Sequence, residues 1–448
     1  MGQFLSAFQN SIWNFLLMIL LLGTHIYFTV KLKVIQKRIP EGIVLSFSNK
    51  NQGEGGISPY ASLATALAAT IGTGNIIGIS TAIAIGGPGA VFWCWITGIF
   101  GIATCYAECF LAVRYRVKKE NGTYAGGAMY VLERVLHKRK TALFFALLTV
   151  AASFGIGSSV QSHAIGAAVT EKIALSPHLL GIGIALFTGS IVIGGGKKIA
   201  KVCTFLVPVM SFLYLGGCFF LIFKNVTVVP QAVAVIVQTA FTSKSVTGGI
   251  AGTAVMTGIR VGISKGLFTN EAGMGSIAMS AADAKTTSPV KQGIISMTGV
   301  FWDTVVMCAV TGITIVSSML KNPESYRNIK SDQLCFKAFS FMPAGEWILL
   351  ISLVLFAFAT IIGWSYYGEC AAGYLFGEKG IEIYQLIFIV TVYLGAVMSL
   401  ETVWGIADIF NSLMAVPNIL SLLLLRKVII RETVSDRKKN APESKRLL

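Results

Sequence analysis

The chain has 448 residues, of which 54% are hydrophobic and 12% are charged, and its mean hydropathy is +0.73. Soluble domains carry about a quarter charged residues, so this composition excludes a soluble globular protein and indicates a membrane protein. The formal net charge of +16 fits nucleic-acid binding as well as a membrane surface, and the positions of the basic residues decide between the two.

Apolar segments long enough to cross a membrane occur eleven times, since a ~30 Å hydrocarbon core needs about twenty helical residues. Residues 1–11 contain no Lys or Arg, and no small-residue cleavage pattern follows the first segment. We therefore interpret that segment as a retained helix and not as a signal peptide. The eleven predicted spans cover residues 12–31, 59–85, 88–113, 142–168, 178–196, 200–223, 250–283 (interrupted), 292–318, 346–373, 383–400 and 403–425.

Basic residues are concentrated in alternate loops. If the N-terminus is outside, most Lys and Arg residues fall in cytoplasmic segments, as the positive-inside rule requires for an odd number of spans. The tail RKKNAPESKR is accordingly interpreted as a topology determinant that contacts anionic lipid headgroups, and not as a nucleic-acid site. The predicted cytoplasmic segments are residues 31–57, 114–140, 197–201, 284–291, 374–382 and 426–448.

Motifs for catalysis, redox chemistry or a transition metal are not supported. The eight cysteines form no CxxC pair, and Cys105 and Cys109 lack the His or carboxylate partners of a metal site. The stretch GSIVIGGGKK (189–198) has neither the Ser or Thr nor the glycine spacing of a phosphate loop. GTGNIIG misses the dinucleotide fingerprint and lies inside a predicted span. An enzyme is therefore disfavoured.

The second predicted span contains ATIGTGN (69–75), whose Gly72, Gly74 and Asn75 are expected to interrupt the helix near the middle of the membrane. Backbone that is not helical survives at that depth only where it lines a protected cavity. Taken alone, the glycines are explained equally well by close packing of helices. A second interruption, GISKGLFTNEAGMGS (262–276), favours the first interpretation.

Each interruption begins a group of five spans, so the second group is inserted upside down relative to the first. Inverted repeats with broken helices in equivalent positions are typical of secondary transporters with a substrate site near the membrane midplane. The predicted organisation is an extra N-terminal helix and basic loop (1–57), a first repeat (58–223) broken at 72–75, an external connection (224–249), a second repeat (250–425) broken near 267–273, and a basic tail (426–448).

Three stretches carry a resemblance to a known family: ATIGTGN, GGPGAVFWCWITGIFGIAT (86–104) and GLFTNEAGMGSIAMSAA (266–282). Together they resemble the alanine or glycine:cation symporters, also called sodium:alanine symporters, with Cys94 at a position where a Met is expected. The resemblance runs from about residue 58 to residue 425. It implies an all-α LeuT-type fold of two inverted five-helix repeats, preceded here by one helix. It also implies sodium-coupled uptake of a small neutral amino acid across a prokaryotic plasma membrane.

The same resemblance and the polarity of broken helices assign the site. Amides at the start of a half-helix suit a carboxylate, and carbonyls released before a break suit a cation. Phe268 and Trp364 are expected to restrict the pocket to a methyl or hydrogen side chain. The predicted substrate-binding residues are Thr73, Gly74, Gln161, Phe268, Thr269, Thr360 and Trp364, and the predicted sodium-binding residues are Ala68, Thr70, Ile71, Asn75, Thr269 and Thr360. For each aromatic side chain and for Gln161, ordinary helix packing is the alternative.

Charged residues inside spans cost about 2.5–3.5 kcal/mol each on insertion scales, so they are expected to be functional or paired. Glu108, Glu369 and Asp408 lie near predicted helix ends, where a solvated or gate-forming role competes with ion binding. Asp303 and Glu271 lie deeper, and Glu271 is expected to cap the second half-helix or to pair with Lys265 or Arg260. Whether these two basic residues face a water-filled vestibule stays open.

Three classes of function remain: a sodium:amino-acid symporter, a proton-coupled transporter of the same fold, and a channel or membrane sensor. A paired break near the midplane serves occlusion of a substrate, which disfavours the channel. The sequence leaves alanine, glycine, serine and glutamine open as preferred substrates, along with the number of sodium ions and the oligomeric state.

Overall fold

The computed structural model describes residues 16–48, 53–120, 122–242, 251–398 and 401–439. This part of the chain is helical, apart from short 3-10 and π-helical turns and a two-stranded antiparallel hairpin of β1 (Val117–Lys118) and β2 (Tyr124–Ala125). The α-helices are Leu16–Lys31, Ile39–Ser46, Pro59–Thr70, Ile79–Gly86, Gly89–Arg114, Ala128–Arg134, Arg139–Ala152, Val160–Lys172, Pro177–Val192, Gly195–Lys224, Val229–Thr239, Ala251–Asn270, Ile277–Ala282, Pro289–Val300, Ala309–Lys321, Leu334–Phe339, Gly345–Val397, Glu401–Leu424 and Arg426–Lys439.

Within the described residues, helical structure covers most of each predicted span. In the described ranges, six helices are long and apolar enough to cross a membrane, or eight when each bent helix pair counts as one span. The helix Gly345–Val397 contains a non-helical residue, Gly377 (φ 72°), between the two segments that the sequence predicts as separate spans. The eleven-span topology and the inverted repeat stay predictions. The helix Val229–Thr239 lies inside the predicted external connection and was not expected.

The first broken helix consists of Pro59–Thr70 and the stretch Gly74–Gly86, which meet at an angle of 50°. It begins at Ser58, whose hydroxyl accepts a hydrogen bond from the amide of Ala61 (3.1 Å), as expected of an N-cap. The α-helix ends at Thr70, because Ile71 has an extended conformation (φ −73°, ψ 96°). A π-helical turn over Gly74–Gly78 then restarts it. The interruption therefore falls where the sequence predicts it.

The second broken helix consists of Ala251–Asn270 and Ile277–Ala282. Glu271, Gly273 and Gly275 separate the two parts, and all three have positive φ values of 51°, 89° and 84°. Left-handed backbone cannot continue a right-handed helix, and glycine adopts it at little cost. The observed break is therefore centred a few residues after the predicted position near 267–273.

Glycine residues allow the helix that begins at Gly345 to pack closely against the first broken helix and against the helical turn around Ile156. A Cβ atom on Gly363 would lie 2.6 Å from the backbone nitrogen of Ala69. A Cβ atom on Gly157 would lie 2.4 Å from the Cβ of Trp364. These two glycines therefore set how closely the elements around the two breaks approach one another.

Loops on one face of the molecule hold the ends of both broken helices together. We call this face, which carries residues 53–58, 115–120, 122–127 and 283–288, the basic-loop face. Ile57 and Ala284 form a parallel bridge, and one carboxylate oxygen of Asp283 accepts hydrogen bonds from the amides of Gly56 (2.9 Å) and Tyr124 (2.8 Å). The guanidinium of Arg116 donates to the carbonyl oxygens of Glu54, Ala282, Ala284 and Thr286.

The C-terminal helix Arg426–Lys439 carries basic residues and also packs against the rest of the protein. Thr433 hydrogen-bonds to the hydroxyl of Tyr106 (2.7 Å), and Asp436 forms an ion pair with Arg38 (3.0 Å). The part of the predicted basic tail after Lys439 lies outside the described residues. The predicted contact of this tail with lipid headgroups stays a prediction.

Candidate functional site

The two breaks face one another across a small enclosed space, which we call the central cavity. Its volume is about 20 Å³, which is room for about one water molecule. It is formed by both broken helices, by the helical turn around Ile156 and Gln161, and by the helix that begins at Gly345. The lining residues are Ala69, Thr70, Gly72, Thr73, Gly74, Ile156, Gln161, Phe268, Thr269, Glu271, Thr360 and Trp364.

Asn75 stabilises the first break. Its side-chain oxygen accepts a hydrogen bond from the amide of Gly72 (2.9 Å), and its side-chain nitrogen donates to a carboxylate oxygen of Asp303 (2.8 Å). Asp303 also accepts a hydrogen bond from the hydroxyl of Thr304 (2.6 Å). A break leaves backbone amides without helical partners, and an unpaired buried amide costs about 1–3 kcal/mol. The side-chain amide of Asn75 therefore already bonds to the backbone of Gly72 and to Asp303.

Two buried carboxylates stabilise the second break. Glu271 accepts hydrogen bonds from the hydroxyl of Ser276 (2.6 Å) and from the indole nitrogen of Trp364 (3.1 Å). Ser276 immediately precedes the helix Ile277–Ala282. Glu271 thus contacts the residue before the second half-helix through a hydroxyl and not by capping the helix amides, and the described ion pairs do not include one between Glu271 and Lys265.

Glu108 is the second of these carboxylates, and its side chain is buried, with only 2% of the residue exposed. It accepts hydrogen bonds from the amide of Gly275 (3.1 Å) and from the side chain of Asn418 (2.9 Å), which also donates to the carbonyl of Gly273 (2.9 Å). The solvated alternative for Glu108 is therefore wrong, and the gate-forming alternative stays a prediction. Its partners come from distant parts of the chain, so no local sequence pattern could predict them.

Hydroxyl and amide groups line one side of the central cavity. The Thr73 hydroxyl donates to the side-chain oxygen of Gln161 (3.1 Å), whose nitrogen donates to the carbonyl of Ile156 (3.2 Å). The hydroxyl oxygens of Thr360 and Thr269 lie against Gly72 and Gly74, at 2.6 Å and 3.2 Å from where a Cβ atom would stand on each glycine. Among the described residues no side chain caps the helix that restarts at Gly74. The backbone amide of Asn75 already donates to the carbonyl of Gly72 (3.2 Å), so the amide of Gly74 is the one left for a ligand.

A larger space of about 340 Å³, which we call the vestibule, adjoins the central cavity on the side of the breaks opposite the basic-loop face. Thr73, Gly74, Ile156, Gln161 and Phe268 line both spaces. The vestibule is also lined by Lys265 and Asp408. The charge at position 265 is thus accommodated because its side chain faces a cavity and not lipid.

Eight of the eleven predicted site residues line the central cavity, namely Thr70, Thr73, Gly74, Gln161, Phe268, Thr269, Thr360 and Trp364. Ala68, Ile71 and Asn75 are buried beside the first break without lining this cavity. The sequence reasoning did not single out Ile156 or Gly157. An apolar residue and a glycine inside an apolar helix carry no signal that separates a cavity wall from ordinary packing.

Two solved transporter structures share this fold. One is a sodium-coupled sialic acid symporter in a substrate-bound outward-open state, with a TM-score of 0.57, 15% identity, and coverage of 92% of this chain and 86% of the other. The other is MhsT in complex with L-phenylalanine, with a TM-score of 0.59, 16% identity, and coverage of 85% and 99%. The chain therefore shares the LeuT-type fold of these two structures.

Sequence relatives narrow the class to one family. Residues 1–446 match the sodium:alanine symporter family, and the chain belongs to it. It is 41% identical to the sodium/alanine symporter AgcS of Methanococcus maripaludis, over 95% of both chains. An uncharacterised transporter of Haemophilus influenzae is 44% identical over 96% of this chain and 94% of its own length. The probable sodium/glutamine symporter GlnT of Bacillus subtilis is 39% identical over 94% and 87%. Sodium-coupled amino-acid symport, with sodium as the transported ion, is the function of this family.

Proposed function

We propose that the protein imports a small neutral amino acid, alanine or glycine, together with sodium by alternating access. The observation that carries this proposal is that both helix breaks, which are far apart in the sequence, meet at one cavity lined by hydroxyl groups, an amide and two aromatic rings. In membrane transporters such a pair of breaks brings free backbone groups of both signs to one substrate.

The substrate carboxylate is assigned to the start of the half-helix that begins at Gly74. This helix end has no side-chain cap in the described residues, and the partial positive charge of a helix N-terminus attracts a carboxylate. The Thr73 hydroxyl and the Gln161 amide lie beside it and lead into the vestibule. Gln161 offers both a donor and an acceptor to a zwitterion.

The substrate side chain is assigned to the central cavity, under Phe268 and Trp364. Because this cavity has a volume of only about 20 Å³, a hydrogen atom or a methyl group fits more readily than a longer side chain. The charged ends of the amino acid then lie at the junction with the vestibule, where five lining residues are shared. A glutamine-preferring site is the alternative, and it requires the aromatic wall to move.

Sodium is assigned to the carbonyl oxygens of Ala68 and Ile71 and the hydroxyl of Thr360. The Thr360 hydroxyl donates to the carbonyl of Phe356 (3.0 Å), so its lone pairs stay available for a cation, and it stands over Gly72 at the break. A second ion is assigned to the region of Thr70 and Thr269. Asn75, whose amide already bonds to Gly72 and Asp303, contributes to that position only if those bonds rearrange.

The proposed orientation has the basic-loop face and the C-terminus in the cytoplasm and the N-terminus outside, as the positive-inside rule favours. In this orientation the vestibule opens toward the exterior, and the loop cluster around Arg116 and Asp283 closes the cytoplasmic side. Eleven spans in two inverted repeats after one extra helix remain the proposed topology.

Uptake of labelled alanine into proteoliposomes tests the function, with choline replacing sodium at constant pH. Sodium-dependent uptake that is inhibited by unlabelled glycine, and less by glutamine, is the expected result. Uptake that persists in choline and follows a proton gradient would instead support proton coupling. Counterflow of preloaded alanine distinguishes a carrier from a channel, because a channel shows none.

A further inference from the structure

A third cavity lies at the basic-loop face and shares no lining residue with the central cavity. We call it the basal cavity, and its volume is about 360 Å³. Its walls come from four places: the hairpin that follows Gly89–Arg114, residues 194–197 at the start of the helix Gly195–Lys224, Asp283 after the second broken helix, and the helix that carries Trp364. The lining includes Lys119, Lys197, Asp283, Tyr366, Glu369 and Gln385.

One wall of the basal cavity suits a carboxylate. The glycines of GSIVIGGGKK begin the 30-residue helix Gly195–Lys224, and no described side chain caps this helix end. A long helix directs free amides and a partial positive charge toward such a site. Lys197 adds a full positive charge in the first turn. Lys119 lines the same space.

The opposite wall suits an ammonium group. Glu369 is only 7% exposed, and one of its carboxylate oxygens accepts a hydrogen bond from Gln385 (2.7 Å). Glu369 lies within a long helix and lines this cavity, so the solvated or gate-forming role expected of it stays a prediction. Among the ion pairs of the described residues, none joins Glu369 or Asp283 to Lys119 or Lys197. Charges of both signs thus face one cavity without direct pairing.

We propose that the basal cavity is a second amino-acid site, which binds the transported zwitterion on its way to the cytoplasm. The inference rests on the proposed function. The carboxylate of the amino acid binds at the amides of Gly195 and Gly196 with Lys197, and its ammonium binds Glu369. A simple anion is disfavoured by Glu369, and a simple cation is disfavoured by the two lysines.

The position of the basal cavity fits an exit route. Glu369 follows Trp364 by five residues on the same helix, which is about 7.5 Å of helical rise. Asp283 directly follows the second half-helix. An amino acid that leaves the central cavity when the elements around the breaks separate therefore meets these charges next.

Exchange across proteoliposomes tests the second site. Vesicles are loaded with graded concentrations of unlabelled alanine, and the entry of labelled alanine is measured for wild type, Lys197→Gln and Glu369→Gln. Loss of one charge-assisted contact is expected to raise the half-saturating internal concentration roughly tenfold, with the external value unchanged. Lys198→Gln is the matched control, because Lys198 is exposed, does not line the cavity and donates to the carbonyl of Ser190 (2.6 Å).

If the half-saturating internal alanine concentration stays at the wild-type value in both variants, the second site is overturned. An equal rise of this concentration in Lys198→Gln would overturn it as well. Internal acetate that competes as strongly as alanine would show a simple anion site and would also overturn it. A preserved external value in each variant shows that the protein is folded. Wild-type vesicles without sodium-driven uptake would refute the proposed function itself, which is a different result.

Discussion

The hydrogen bond from the Trp364 indole to Glu271 (3.1 Å) joins the wall of the central cavity to the second break. Trp364→Phe keeps an aromatic ring but removes the donor, so that Ser276 is the remaining described hydrogen-bond donor to this carboxylate. Such a bond contributes about 1–3 kcal/mol. If it stabilises the conformation that binds substrate, its loss lowers the population of that conformation. We expect the half-saturating external alanine concentration to rise roughly five- to 150-fold.

Sodium-driven alanine uptake at graded external concentrations measures this effect, and the thermal unfolding of the purified protein is recorded in parallel. Trp95→Phe is the matched control. The Trp95 indole nitrogen is buried and has no hydrogen-bond partner among the described residues, so the same change removes no bond. We expect it to leave the half-saturating concentration near that of wild type.

Equal effects of the two Trp→Phe variants would refute this reasoning, since ring size and not the hydrogen bond would then be responsible. An unchanged half-saturating concentration in Trp364→Phe would show that the bond to Glu271 does not favour the substrate-binding conformation.

Three other substitutions test separate parts of the site. Thr360→Val keeps the shape of the side chain but removes a hydroxyl assigned to sodium, so uptake should need more sodium, and an unaltered sodium titration would argue against the assignment. Gly363→Ala places a methyl group about 2.6 Å from the backbone of Ala69 and should cost about 1–3 kcal/mol. Its melting temperature should fall, whereas Gly183→Ala, with no atom within 4 Å of the new methyl group, should melt near wild type; equal melting would contradict the packing argument. Trp364→Ala should allow larger amino acids to compete with alanine, and an unchanged competition profile would remove Trp364 from the pocket.

The sequence by itself determined most of the helical segments and the approximate positions of both interruptions. Hydrophobic composition and span length are set by the solvent, because a bilayer requires apolar side chains over a fixed thickness. The first break coincides with Gly72–Gly74, and the second falls a few residues late because positive φ values begin at Glu271. The family resemblance, which the sequence match confirms, supplied most of the residues that line the central cavity.

Only the tertiary structure determined which polar side chains hydrogen-bond at the two breaks. Asn75 pairs with Asp303, and Glu108 pairs with Asn418, which are separated by 228 and 310 positions in the chain. Hydrophobic periodicity places a residue on a helix but does not identify the helix that faces it. In a membrane each freed amide or carbonyl must find a partner within the protein, and the packing of distant helices selects that partner. The same packing brought the glycines of GSIVIGGGKK and Glu369 to one cavity.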